Sequence, residues 1–142
     1  FVNVLLSAYV AKRAQNYKYV VVDNEAGMEH ISRGILPGVD TVILVSDCSR
    51  RGIQAVGRIA RLVPECGLKP KKIGLIVNRA PKGVLNDGVR EEIEKQNLEL
   101  LGVVPQDEGV YEFDSAGTPT TQLPEDNPVR QALYKIMDGL EL

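Results

Sequence analysis

The sequence is poor in the residues that build metal centres. Its 142 residues include one histidine, His30, and two cysteines, Cys48 and Cys66. Their spacing fits no ligand motif, so no metal set is read from them. An expected helix separates the two cysteines, which fits reduced thiols and a cytoplasmic setting better than a disulfide framework. No apolar run approaches the roughly 18 residues that a membrane-spanning helix needs, and no secretory leader is evident. The net charge is only −2. That lacks the basic excess that nucleic-acid binding leaves in a sequence, so neither nucleic acid nor membrane is an expected partner. No Gly-x-Ser-x-Gly elbow is present, so a Ser-His-Asp hydrolase cannot be argued. Nor is there a Gly-x-x-x-x-Gly-Lys-[Ser/Thr] loop, and a phosphate site without it lacks its main anion cradle. The chain opens on Phe1 and not on Met, which leads us to expect a piece of a longer protein.

What is present is ordinary for a globular domain: 44% hydrophobic and 25% charged residues, enough for a single domain over residues 1–142 with a real core. The most informative run is Tyr17-Lys18-Tyr19-Val20-Val21-Val22-Asp23-Asn24-Glu25-Ala26-Gly27. Tyr19 to Val22 are β-formers in unbroken series, which predicts a strand buried on both faces. Asp23 ends it and Gly27 follows. An acid at the carboxyl end of such a strand points into the crevice where open α/β sheets bind ligands. Phosphate-handling enzymes use that arrangement to hold Mg²⁺-bound water and to bring a backbone N–H to a γ-phosphate. On this stretch alone, a turn or a helix cap explains Asp23 equally well.

Taken in order, strands and helices alternate. Phe1 to Asn16 is predicted helical, with Val4, Leu5, Ala8 and Tyr9 on one face. Met28 to Gly34 reads as a short helix or ordered loop, closed by Gly34 and Pro37-Gly38. Thr41 to Ser46 is a second buried strand. Ser49 caps a helix from Arg50 to Glu65, with Ile53, Val56, Ala60 and Val63 inward; Pro64 is expected to end it early. Lys72 to Asn78 is a third strand. Asn86 or Asp87 opens a helix to about Gln96, with Val89 and Ile93 inward. Leu98 to Val104 is the fourth strand, stopped by Pro105. Asp107 to Ser115 is a short helix. Asn127 caps the last one, with Pro128 in its first turn and Val129, Ala132, Leu133, Ile136, Met137 and Leu140 on the buried face. That alternation predicts an α/β, three-layer, doubly wound fold around a mainly parallel sheet of about four strands.

The strand ends deliver Asp23, Ser46-Asp47, Asn78-Arg79 and Pro105-Gln106-Asp107, so polar residues gather along one edge of an apolar sheet. The amide of Asn78 offers a donor and an acceptor together, the pairing an adenine edge presents; a loop Asn tolerating unusual backbone angles is the plainer reading. Pro105 leaves backbone groups unpaired beside it, though simple strand punctuation accounts for it as well. The basic run Lys69, Lys71, Lys72 reads as a solvated strand entry.

With those residues in order, the chain resembles the carboxyl-terminal portion of a MinD/ParA-type P-loop ATPase. It looks most like the CooC-type accessory ATPases of carbon monoxide dehydrogenase maturation. The resemblance rests on Val21-Val22-Asp23-Asn24-Glu25-Ala26-Gly27-Met28-Glu29-His30-Ile31-Ser32-Arg33, Val45-Ser46-Asp47 with Ser49-Arg50-Arg51-Gly52, Gly74-Leu75-Ile76-Val77-Asn78-Arg79, Leu101-Gly102-Val103-Val104-Pro105-Gln106-Asp107 and Ala116-Gly117-Thr118-Pro119. It implies that Asp23 holds Mg²⁺ through water and that Gly27 sits in the switch segment near the γ-phosphate. Asn78 would recognise adenine with Arg79 beside it, and Pro105, Gln106 and Asp107 would border the base. The implied activity is ATP hydrolysis by a homodimer, coupled to nickel delivery into carbon monoxide dehydrogenase as client.

Three parts of the family pattern are not in this sequence: the glycine-rich loop with its lysines, the switch-I aspartate, and the Cys-x-Cys through which CooC-type proteins hold nickel or zinc. Cys48 and Cys66 do not replace that pair. Without the loop, the chain alone is expected to bind nucleotide poorly. In the family the loop's strand lies between those matching Tyr19–Asp23 and Thr41–Ser46. Its absence predicts either that these two pair directly or that another copy fills the gap. Two alternatives remain: a MinD/ParA-like ATPase for iron–sulfur assembly or positioning, and a non-catalytic interaction domain of the receiver type, whose early acidic pair and late lysine we cannot place.

Overall fold

The computed structural model describes residues 12, 15–24 and 38–140. Three parallel strands form one sheet with flanking helices: β1 (Thr41–Asp47), β2 (Lys72–Ala80) and β3 (Glu99–Pro105), in the order β1-β2-β3. From Thr41 onward four α-helices interleave with them among the described residues: α1 (Arg50–Glu65), α2 (Asp87–Lys95), α3 (Glu108–Ser115) and α4 (Pro128–Asp138). The doubly wound α/β expectation therefore holds, and every one of these elements follows from a pattern in the sequence. Asn86, Asp107 and Asn127 cap α2, α3 and α4 by accepting N–H bonds from Val89, Val110 and Val129. Ser49 does the same for α1, its Oγ accepting the Gly52 N–H at 3.0 Å.

The chain forms two compact units, Phe1–Val42 with Arg58–Lys72 and Ile43–Gly57 with Ile73–Leu142. In the first, Asp40 ties the start of β1 to that of β2. Its carbonyl accepts the Lys71 and Lys72 N–H groups at 2.8 and 3.2 Å, and its carboxylate meets Lys71 Nζ at 2.8 Å. In the second, Ile76, Val104 and Ile136 form a cluster between the sheet and α4, with Leu101, Val129 and Ala132 packed against it. Gly102 makes this possible, because a Cβ there would collide with the Ile136 side chain.

Four expectations are corrected. Tyr19–Val22 does not form a strand: residues 19–24 have no regular secondary structure, and Val21 is 89% exposed. The direct pairing expected between this stretch and Thr41–Ser46 is accordingly absent. β-propensity measures fit to a pleated, half-buried surface, and without a neighbouring ladder the same residues have nothing to fit. Secondly, β1 is not buried on both faces. Leu44 and Ser46 are buried while Ile43 and Val45 are exposed, the alternation of a strand covered on one side. Thirdly, Pro64 does not shorten α1, which runs to Glu65 and stops at Gly67 with φ 82°. Finally, Leu133 and Met137 of α4 are exposed. The helix reaches β3 along the single row Val129, Ala132 and Ile136, and Leu133 and Met137 lie one step around the helix from it. Lys12 is helical, with Gln15 and Asn16 in a turn; the rest of the expected first helix, and Met28–Gly34, lie outside the described residues.

Candidate functional site

The tips of β2 and β3 lie side by side. Their parallel register pairs Val77 with Val103 and then Ala80 with Pro105, so three steps along β2 match two along β3. The surplus residue is a bulge at Asn78-Arg79, and Arg79 absorbs it with φ 54°. That left-handed conformation costs a non-glycine residue about 1–2 kcal/mol. Bulges at strand ends re-aim side chains and recur beside functional sites. Here Asn78 Oδ1 accepts the Arg79 N–H at 2.9 Å, while Nδ2 donates to no described residue. The half-buried Asn78 therefore keeps a donor without a partner among the described residues, two residues before Ala80, which pairs with Pro105. The Gln106 N–H is spent on Ala80 O at 2.9 Å, which holds the two tips together.

Asp107 follows in the same turn, with its carboxylate committed. Oδ1 accepts the Val110 N–H at 3.1 Å and Asn127 Nδ2 at 3.0 Å. Asn127 in turn accepts the Val129 N–H at 2.9 Å. One carboxylate thus fastens the starts of α3 and α4 to the end of β3. Nothing local in the sequence announces a contact between residues twenty apart.

The tip of β1 is closed by a similar device. Asp47 Oδ1 accepts Ser49 Oγ at 2.7 Å, and the buried Ser46 Oγ donates to Asp47 O at 3.0 Å. Gly52 falls in a matching motif, but the sequence gives it no role of its own. A Cβ there would collide with Asp47 Oδ1 and Ser46 Oγ, so glycine permits the first turn of α1 to close on the strand tip. Between them, burial and the neighbouring Asp47 push the Cys48 thiol above its usual pKa, which makes it a weak nucleophile and ligand at neutral pH. Cys48 and Cys66 are both free thiols.

Asp23 belongs to the first compact unit and Asn78, Arg79, Pro105, Gln106 and Asp107 to the second. Asp23 is exposed in an irregular segment; Gly27 and His30 lie outside the described residues. Among the described residues no three His, Cys, Asp or Glu side chains gather as a metal site. A lone exposed carboxylate fits an ion held through its water shell, as Mg²⁺ commonly is, and does not fit a closed transition-metal cage.

Comparison with known proteins places these tips in context. Residues 2–120 match the model of the CobQ/CobB/MinD/ParA nucleotide binding domain. An uncharacterized ATP-binding protein of Methanocaldococcus jannaschii is 33% identical over 139 residues, covering 98% of this chain and 54% of that protein. The carbon monoxide dehydrogenase accessory protein CooC of Rhodospirillum rubrum is 28% identical over 127 residues, covering 82% of this chain and 41% of that one. Among solved structures, the septum site-determining protein MinD of Pyrococcus horikoshii, complexed with Mg-ADP, superposes with a TM-score of 0.75 at 19% identity, over 96% of this chain and 55% of that one. The chain spans about half the length of the curated relatives it matches. The 119 residues matched by the family model, carried on a parallel sheet with its polar strand tips, make the chain a member of the CobQ/CobB/MinD/ParA nucleotide-binding family.

Proposed function

We propose that this chain is part of a Mg²⁺-dependent ATP-binding and ATP-hydrolysing protein, with residues 1–142 as one truncated nucleotide-binding domain. Its own contribution is the base-binding edge and one metal-side carboxylate. Asn78 donates from Nδ2 to N1 of adenine, an acceptor that guanine replaces with an N–H donor, Arg79 flanks it, and the turn Pro105-Gln106 borders the base. Asp107 holds that turn in place through α3 and α4. Asp23 orients water on Mg²⁺, which when bound would neutralise charge on the phosphates, and Gly27 brings its backbone N–H to the γ-phosphate. The observation that carries this reading is the bulged tip of β2, which leaves the Asn78 amide donor without a partner among the described residues, in a chain with this family match.

Within the family we favour the CooC branch: nickel insertion into carbon monoxide dehydrogenase as client, by a cytoplasmic homodimer. The run Asp23-Asn24-Glu25-Ala26-Gly27-Met28-Glu29-His30 and the likeness to the Rhodospirillum protein support it. The fold likeness to MinD keeps a positioning ATPase as the second reading.

The test is a fluorescent-ATP titration. In the longer parent protein, Asn78→Ala should weaken ATP binding by about tenfold and narrow the preference for ATP over GTP, the loss of one net hydrogen bond. An unchanged preference would remove Asn78 from the site. For the present chain, which carries no glycine-lysine loop, binding should be weak with or without Mg²⁺; tight Mg²⁺-dependent binding would overturn the role given to that loop. Copurifying nickel in the parent, measured by elemental analysis, separates the two branches.

A further inference from the structure

A groove of about 500 Å³ runs beside β3, away from the polar tips except at Pro105. Leu101, Gly102 and Val103 all line it. Consecutive strand residues point to opposite faces, so a groove touched by all three follows the strand's edge and not one face of the sheet. Among the described residues β3 has a neighbour on one side only, β2. Alternate residues of a strand direct their N–H and C=O groups to the unpaired side, which is a template for a further strand. Pro105, lacking an N–H, limits that template at its carboxyl end. The α4 wall supplies Ala132 and Lys135, and the β2–α2 connection supplies Lys82. Both lysines are exposed, and among the described residues no carboxylate lines the groove.

We propose that the outer edge of β3 receives an extended, acidic segment of a partner protein as an added strand. Backbone pairing to Leu101–Val103 supplies the affinity, and Lys82 and Lys135 select carboxylates at the two rims. The apolar floor accepts small side chains at alternate positions. The groove shares Pro105 with the base-binding turn, but the proposed contacts are made by Leu101–Val103, Lys82 and Lys135, none of which the nucleotide reading uses.

Three labelled peptides test it by fluorescence anisotropy: an alternating Asp-Val octamer, its Lys-Val counterpart, and the Asp-Val octamer N-methylated at alternate residues. The acidic peptide should bind saturably and weaken with salt, and the basic one should not bind. The N-methylated peptide, of equal charge, should lose binding because it cannot donate to the ladder. K82E/K135E should weaken the acidic peptide by about tenfold or more, with an unchanged circular-dichroism melt because both side chains are exposed. Hydrogen exchange should slow within Glu99–Val104 when the peptide is bound. Absence of binding, equal binding of the N-methylated peptide, or an edge already occupied by a second copy, seen as a dimer in sedimentation that competes with peptide, would each overturn the proposal.

Discussion

Arg79 stands at φ 54° inside a strand, where glycine would carry no steric penalty. Arg79→Gly should therefore raise stability by about 0.5–1 kcal/mol, the relief of strain less the added freedom of the unfolded glycine. Urea denaturation measures it; a fall in midpoint would show that the arginine side chain stabilises the tip more than its backbone strains it. Asp107 makes the opposite case. Asp107→Ala removes a helix cap and the tie to Asn127, a loss of about 1–2 kcal/mol, whereas Asp107→Asn keeps an acceptor for the cap and should cost less. The sequence marks Asp107 as polar at a strand end, and it also marks Asn127 as a cap. That the two meet is a tertiary fact, since their hydrogen bond at 3.0 Å spans twenty residues.

Between elements, α1 and α2 are joined around one buried acid. Glu92 is 2% exposed, and Gln96 Nε2 donates to its Oε1 at 2.8 Å. Arg50 Nε lies 3.8 Å from Oε2. The Gln96 bond first, then Gln54, Lys95 and Arg50, hold its carboxyl below the usual glutamate value of 4.5 against the opposing effect of burial. A carboxyl with a depressed folded pKa adds stability that is present above the unfolded pKa and lost as pH falls through the folded one. The melting temperature should drop on acidification below about pH 4.5, and Glu92→Gln should flatten that acid limb. A parallel pH profile in wild type and variant would assign the loss to other groups. The strand expected at Tyr19–Val22 gives a sharper contrast. With Val21 almost fully exposed, Val21→Asp should change stability by less than about 0.5 kcal/mol. A cost of several kcal/mol by thermal denaturation would mean that this valine is buried in the folded chain.

At the scale of the whole molecule, the described residues carry a three-stranded sheet with its helices, and the chain spans about half the length of the relatives it matches. Binding a ligand only to the folded state stabilises by RT ln(1 + [L]/Kd), so at a hundredfold excess over Kd the gain is about 2.7 kcal/mol. If the loop absent from this sequence supplies most of the grip on phosphate, millimolar MgATP should leave the melting temperature of this chain nearly unchanged and raise that of a longer form carrying such a loop by several degrees. An equal rise in both would show that the strand tips suffice.

The sequence by itself determined which segments become helices and strands from Thr41 onward, and where the helices start. Those properties depend on neighbours a few residues away: apolar periodicity, side-chain caps at Ser49, Asn86, Asp107 and Asn127, and the stop at Gly67. It also marked Asn78 and Pro105-Gln106-Asp107 as strand-end polar residues. Only the tertiary structure decided that Tyr19–Val22 stays out of the sheet, because a strand's backbone is satisfied by another strand and not by its own composition. The same holds for the bulge at Asn78-Arg79, for Gly52 beneath the β1 tip, and for which row of α4 is buried. Each is fixed by contacts between segments distant in sequence, which no local pattern encodes.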